Sequence, residues 1–313
     1  MVTRIRIASL DDVKDIVEVY CSSISRWIRY INGREVEARY DDLTIAERWS
    51  HGGPWMSTET CAIHINNLLV NNQYPLVAEF DGKIVGELEL YIGEEKGIIG
   101  KCGHIDVLEV HKNYRRRGIG KALVNKAIEI AKEHGCDTVA VWPAKEAVEF
   151  YRKCGISRIA YNIVHVEIGL NKINIEIQEQ YSTTSFPNNY DTIKNMEFIS
   201  PRILSSFTTW IKSRWNYAIE KNRILSIEGY IPELKACYIV ESLWGNKTAA
   251  KLLLWIDDVM RLEQVLNEIF RTTKEKKIAK LHLLVDKNIY QGIVKKYPHK
   301  ILSHEILLMK KIR

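Results

Sequence analysis

No two of the six cysteines (Cys21, Cys61, Cys102, Cys136, Cys154, Cys237) stand in Cys-x-x-Cys spacing, and the nine histidines form no His-Glu-x-x-His pattern. That distribution speaks against a disulfide scaffold and against a zinc site, so no metal is expected and a reducing cytoplasm is the default. No basic, apolar, small-residue leader opens the chain, and no apolar run approaches bilayer-spanning length, so no membrane association is expected. Charge of one sign is also scarce in excess: 45 Lys+Arg face 39 Asp+Glu, a net of +6. So small a surplus suits a small anionic ligand and is too weak to argue for nucleic acid. At 313 residues the chain is longer than most single cores and suits two domains.

What is present is a regular succession of short elements. Alternation at 4–7 predicts a strand, and Ser9 then caps a helix whose apolar stripe is Val13, Ile16, Val17 and Tyr20. A second helical zone follows, broken by Gly52-Gly53-Pro54 and resuming over 60–69. Strands at 76–80 and 84–91 flank the hairpin signal Asp81-Gly82. Next come a strand at 103–110, a helix from 118 to about 134 stopped by Gly135, and a strand at 138–142. A short helix at 145–154, ended by Gly155, and a long strand at 159–168 complete the order β-α-α-β-β-β-α-β-α-β. The polar stretch 178–195 reads as a linker or exposed connection. Beyond it, a helix at 204–219, strands at 224–230, 236–243 and 249–256, a helix at 262–276, a strand at 281–285, a short helix at 289–296 and a strand at 301–309 are predicted.

The most informative segment joins the strand Ile105-Asp106-Val107-Leu108-Glu109-Val110 to the following helix through His111-Lys112-Asn113-Tyr114-Arg115-Arg116-Arg117-Gly118-Ile119-Gly120-Lys121. A helix that opens on glycines presents free N–H groups and the positive end of its dipole, a ready site for phosphate. Gly118 and Gly120 remove side chains that would hold an anion off the backbone, and Arg115, Arg116 and Arg117 add forked donors. A Walker loop is excluded because Arg115 stands at its first glycine and Ala122 at its hydroxyl position. A dinucleotide fingerprint is excluded because Leu123 stands at its third glycine.

Arg115-x-x-Gly118-x-Gly120 after Leu108-x-Val110 resembles the coenzyme A loop of the Gcn5-related N-acetyltransferase (GNAT) superfamily, and the likeness covers about residues 1–180. The resemblance implies an α/β (α+β) fold with a mixed, mostly antiparallel sheet flanked by helices. It also implies acetyl-CoA as co-substrate, held by Leu108, Glu109, Val110, Arg115, Arg116, Arg117, Gly118, Ile119, Gly120 and Lys121. Ala147-x-x-x-Tyr151-x-Lys153-x-Gly155 resembles a second family element, which would make Tyr151 the donor to the coenzyme A sulfur and the acid for the leaving thiolate. The family's asparagine and phenylalanine there are replaced by Ala144 and Ile156. The base stays open. His104 stands where some relatives carry a glutamate; Glu109, Asp106, Glu89 and a water chain are alternatives.

Residues 190–313 repeat the element pattern at an offset of 143 (298 − 155), which sets Gly118 on Arg261, Gly120 on Glu263 and Arg115 on Asp258. Carboxylates there would repel a diphosphate, so this part is expected to be a smaller, degenerate GNAT-like domain without a coenzyme A loop. Trp49, the 52–57 turn with Trp55, and Glu59 form an aromatic and acidic cluster that suits a cationic amine or simply packs the turn. The expected function is acetyl transfer to a primary amine, a small molecule by analogy with tandem relatives of the mycothiol synthase kind. An acyl-CoA sensor without turnover, or a protein N-terminal or lysine acetyltransferase, stays open as an alternative. The sequence carries no signal of oligomeric state.

Overall fold

The computed structural model of the protein describes residues 4–174, 181–217, 219 and 226–313. They fall into two compact units that interleave along the chain: 4–91, 105–134, 215–217 and 219 in the first, and 92–104, 135–174, 181–214 and 226–313 in the second.

The first unit contains β1 (Arg4–Ile7), α1 (Val13–Cys21), β2 (Ile28–Ile31), β3 (Arg34–Glu37), α2 (Ile45–Trp49), α3 (Thr58–Val70), β4 (Tyr74–Phe80), most of β5 (Lys83–Glu94), the C-terminal part of β6 (Lys101–Val110), and α4 (Ile119–Glu133). β4 pairs antiparallel with β1 (Ile5↔Ala78) and with β5 (Leu76↔Leu88), and the β4–β5 turn is the expected Asp81-Gly82, with φ of 50° and 76°. Strand β5 is buried on both faces along most of its length. On one face Gly86 lets α4 approach: a Cβ there would meet Ile119 Cγ2, Leu123 Cδ1 and the Glu109 carbonyl oxygen, each at 3.2 Å. Alternation sends Val85, Glu87, Glu89 and Tyr91 to the other face.

One expectation fails here. The segment after α1 is not all helical; Asn32-Gly33, with φ of 50° and 75°, turns the β2–β3 hairpin. That dipeptide is a two-residue hairpin signal with positive φ at both central positions, and the helical reading overlooked it.

The second unit contains β7 (Thr138–Val141), α5 (Val148–Lys153), β8 (Arg158–Gly169), β9 (Glu197–Ser200), α6 (Ser206–Ser213), β10 (Ser226–Ile231), β11 (Ala236–Leu243), β12 (Asn246–Ile256), α7 (Leu262–Glu275), β13 (Lys280–Asp286), α8 (Lys287–Gly292) and β14 (His299–Lys311). Strands β10, β11 and β12 form an antiparallel meander, whereas β12 and β13 run parallel, with α7 as the crossover. The last strand, β14, lies between β7 and β8 and pairs antiparallel with both (Leu308↔Val141, Val164↔His304). Leu307, Leu308 and Met309 are consecutive and fully buried, as in a strand covered on both faces.

The described part of the stretch 178–195 is mostly exposed, but it is pinned at three points. Phe186, Tyr190 and Ile193 are buried against Trp255 and Phe198, and Thr184 bridges to Tyr230. Its polar letters hid three apolar anchors; residues 178–180 lie outside the described part. The helix expected at 204–219 ends at Ser213, and the start of the strand expected at 224–230 falls on undescribed residues.

Candidate functional site

Strand β6 ends at Val110, where the His111 amide donates to the Val85 carbonyl at 2.9 Å, so the loop leaves from a paired strand. A short turn, Lys112–Tyr114, leads to Arg115. Arg116 takes a left-handed φ of 64° and Gly118 one of 82°, and α4 then begins at Ile119. A Cβ added to Gly118 would meet nothing within 4 Å, yet its positive φ would strain any other residue. No side chain caps α4. The first intrahelical bond runs from the Ala122 amide to the Gly118 carbonyl at 3.0 Å, which leaves the preceding amides without helical partners. Ile119 and Leu123 bury the inner side of this first turn, and Lys121 is exposed.

The three arginines do different things. Arg115 bolts the loop to the strand end: its Nε donates to the Val110 carbonyl at 3.0 Å, and Nη2 donates to Glu109 Oε1 at 2.5 Å and to Ser23 Oγ at 2.7 Å. Arg117 lies over the Tyr114 ring, 5.2 Å from its centroid. Arg116 and Arg117 are exposed. Glu109 Oε1 is thereby engaged by Arg115, as an ion pair, and by Ser23 at 3.2 Å.

His104 is fully buried on β6, in the second unit. Tyr151 also belongs to that unit, on α5; it is 6% exposed and its ring edge meets Phe150 at 5.0 Å between centroids. Burial, with a smaller contribution from Cys154, pushes the Tyr151 hydroxyl above its usual value, so it keeps its proton at neutral pH and has one to donate.

The face of β5 turned away from α4 carries a cluster that sequence reading largely missed. Glu89 is fully buried and takes three donors: Trp55 Nε1 at 2.9 Å, Tyr91 hydroxyl at 2.9 Å, and His64 Nε2 at 2.7 Å. With the ring proton on Nε2, His64 Nδ1 accepts from the Tyr217 hydroxyl at 2.6 Å. Two residues away, Glu87 is equally buried, and Tyr20 donates to its Oε2 at 2.6 Å. Tyr20 and Trp55 stack with centroids 5.0 Å apart and planes 13° apart. Burial, then the Glu89 carboxylate, then Asp106, push the Glu87 carboxyl well above the usual carboxylate range; the Tyr20 hydrogen bond pulls it back.

Of the expected acceptor cluster, Trp55 thus joins this site, Trp49 packs edge-on to Tyr217 at 5.0 Å, and Glu59 is exposed. Acidic letters at two alternate positions of an otherwise apolar strand, Glu87 and Glu89, were the available signal. No group of three or more His, Cys, Asp or Glu that could hold a metal occurs among the described residues. None of the described helices is long and apolar enough to cross a membrane.

The model of the "Acetyltransferase (GNAT) family" matches residues 36–156 of this chain. An uncharacterized N-acetyltransferase of Methanocaldococcus jannaschii is 28% identical over 48% of this chain and 59% of its own length. A glucosamine 6-phosphate N-acetyltransferase of Schizosaccharomyces pombe is 36% identical over 24% of this chain and 68% of its own length. The chain therefore spans about two thirds or less of these curated relatives. Among solved structures, a tandem GNAT protein from the clavulanic acid biosynthesis pathway superposes with a TM-score of 0.51 at 15% identity, covering 99% of this chain and 98% of that one, a likeness of fold.

Proposed function

The chain belongs to the acetyltransferase (GNAT) family, and from that premise we propose that it is an N-acetyltransferase that carries an acetyl group from acetyl-CoA to a primary amine of a small molecule by direct attack. The observation that carries this reading is the start of α4: a left-handed Gly118, no capping side chain, and amides left over for a diphosphate. The empty space at Gly118 and the exposed Arg116, Arg117 and Lys121 fit the anionic half of that co-substrate.

In this reading the amides of Gly118 to Lys121 hold the diphosphate, and Arg116 and Arg117 neutralise it. Arg115 acts differently. It braces the loop against Val110 and Glu109, fixing the amides that bind. The backbone of Leu108, Glu109 and Val110 offers strand-like partners to the pantetheine, and an amide near Val110 would stabilise charge developing on the acyl oxygen, an effect worth several kcal/mol. Acetyl-CoA, when bound, supplies an activated acyl carbon and a thiolate leaving group. Tyr151 holds a proton at neutral pH and is the group we assign to protonate that thiolate.

Residues 1–180 are proposed as the catalytic domain, and 190–313 as a GNAT-like copy without a coenzyme A loop, a reading supported by Asp258, whose carboxylate accepts from the Met260 amide in the turn that leads into α7. A small-molecule acceptor is supported by relatives named for glucosamine 6-phosphate. The test is thiol release from acetyl-CoA by the purified protein against glucosamine 6-phosphate, other amino sugars, polyamines and lysine peptides. Release with a small amine supports the reading; release only with peptides moves the acceptor class. No release with any amine, while coenzyme A still binds, removes the transferase proposal.

A further inference from the structure

The sequence left the base undecided among His104, Glu109, Asp106 and Glu89, and the structure separates the carboxylates by what they already hold. Both oxygens of Glu89 are engaged, Oε1 by Trp55 and His64 and Oε2 by Tyr91, so a substrate proton there would have to share a buried network. Glu109 Oε1 accepts from both Arg115 and Ser23. Glu87 is different. Its Oε2 takes the Tyr20 hydroxyl, whereas Oε1 is buried with no hydrogen-bonding partner among the described residues. A fully buried carboxyl with one idle oxygen is costly unless something comes to use it.

We propose that Glu87 is the proton acceptor for the amine substrate, with Oε1 receiving the ammonium hydrogen and the stacked Tyr20 and Trp55 rings forming the wall past which the amine approaches. This rests on the transferase reading above. The partly exposed rings suit a cation, which is drawn to an aromatic face. The step balances simply. One proton of the ammonium passes to the Glu87 carboxylate, freeing the nitrogen lone pair; the C–N bond forms as the thioester C–S bond breaks. The second proton lost by the nitrogen matches the one taken up by the leaving thiolate, and Glu87 returns its proton to solvent.

The groups facing Glu87 are Glu89 on its own strand, Tyr20 on α1, Cys61 on α3 and Asp106 on β6. The acidic ones hold its proton on, and Tyr20 eases it off. A carboxyl so raised is a better match to an amine than an ordinary one, because proton-transfer efficiency improves as the two affinities converge. The same geometry makes the site silent at low pH, where Glu87 is already protonated.

The experiment measures kcat/KM against pH for whichever amine of the panel is turned over. Wild type, Glu87→Gln, Glu87→Asp and Tyr20→Phe are compared, with coenzyme A affinity taken by calorimetry for each. Glu87→Gln should bind coenzyme A as the wild type does, lose at least about a hundredfold in turnover, and lose the acidic limb of the profile. Glu87→Asp should restore part of the rate together with that limb. Tyr20→Phe, which removes the donor to Oε2, should move the limb to higher pH while leaving it visible, and this holds the idea open to refutation if Glu87→Gln fails to fold. An unchanged limb in both Glu87→Gln and Tyr20→Phe overturns the assignment but leaves the transferase reading standing. Coenzyme A binding by the wild type with no transfer to any amine instead removes that reading, and the assignment with it.

Discussion

Helices α4 and α7 both follow a strand through a short turn, and their first residues, Ile119 and Leu262, stand 143 apart (262 − 119). At α4 the turn ends on a left-handed glycine and no side chain reaches the free amides. At α7 the turn opens on Asp258, whose carboxylate accepts from the Met260 amide at 2.9 Å, and Glu263 in the first helical turn is tied to Lys296 at 2.6 Å. Neither helix has a side chain capping its first residue, but the turn into α7 already gives one amide to a carboxylate and sets a second acid in the first turn, whereas the turn into α4 does neither. An anion site at a helix start depends less on added positive charge than on the absence of any internal carboxylate or hydroxyl that would take the amides first. A third helix start makes the same point in a buried setting: the Ser206 amide at the head of α6 donates to Glu95 Oε2 at 2.5 Å.

That buried case gives the largest expected effect. Arg202 donates to Glu95 Oε1 at 2.7 Å and to the Tyr161 hydroxyl at 2.8 Å, and both charged side chains are almost fully enclosed. Arg202→Ala would leave the Glu95 carboxylate buried with only helix donors, costing about 3–5 kcal/mol; chemical denaturation reads it directly, and a loss under 1 kcal/mol would show that the helix start alone can hold the charge. Next, Gly120→Asp places at α4 the kind of group that α7 already carries. Coenzyme A affinity should fall more than about a hundredfold, since like charges in contact cost several kcal/mol, with little change in melting temperature. Calorimetric titration with unaltered affinity would break the comparison.

Tyr151→Phe should lower turnover by roughly a hundredfold, the lower range for removing a general acid, with coenzyme A affinity intact; burst or steady-state thiol release measures it, and an undiminished rate means another group protonates the thiolate. The smallest change is expected from Asp258→Ala, which removes the cap before α7. Stability should drop by about 1 kcal/mol, seen as a shifted denaturation midpoint, and no coenzyme A site should appear. Gain of binding there would mean that capping alone had closed it.

The spans of α4, β13 and α7 were legible because apolar period, glycine stops and cap residues act within one or two turns of the chain. Positive φ at Gly118 and Gly135 follows from the same local chemistry. The β2–β3 hairpin is equally local, its signal being the single dipeptide Asn32-Gly33 inside a stretch of helical period. Burial of Phe186, Tyr190 and Ile193 was masked by polar neighbours, since a three-residue anchor has no period to detect. At the candidate site the loop was readable as a motif. The Arg115 brace was not, because it depends on Ser23, 92 residues away in sequence.

By itself the sequence determined the order of elements, the open glycine turn before α4 and the acid-filled turn before α7, because each is settled by backbone preferences and side chains within a few residues. Only the tertiary structure decided that β14 enters between β7 and β8, and that both oxygens of Glu89 are engaged while Glu87 keeps one oxygen idle. Strand alternation fixes which face a side chain takes but not which strand or helix will lie against it. Partners such as Tyr20, His64 and Tyr217 arrive from distant parts of the chain, and the solvation and proton affinity of a buried acid are set by those arrivals.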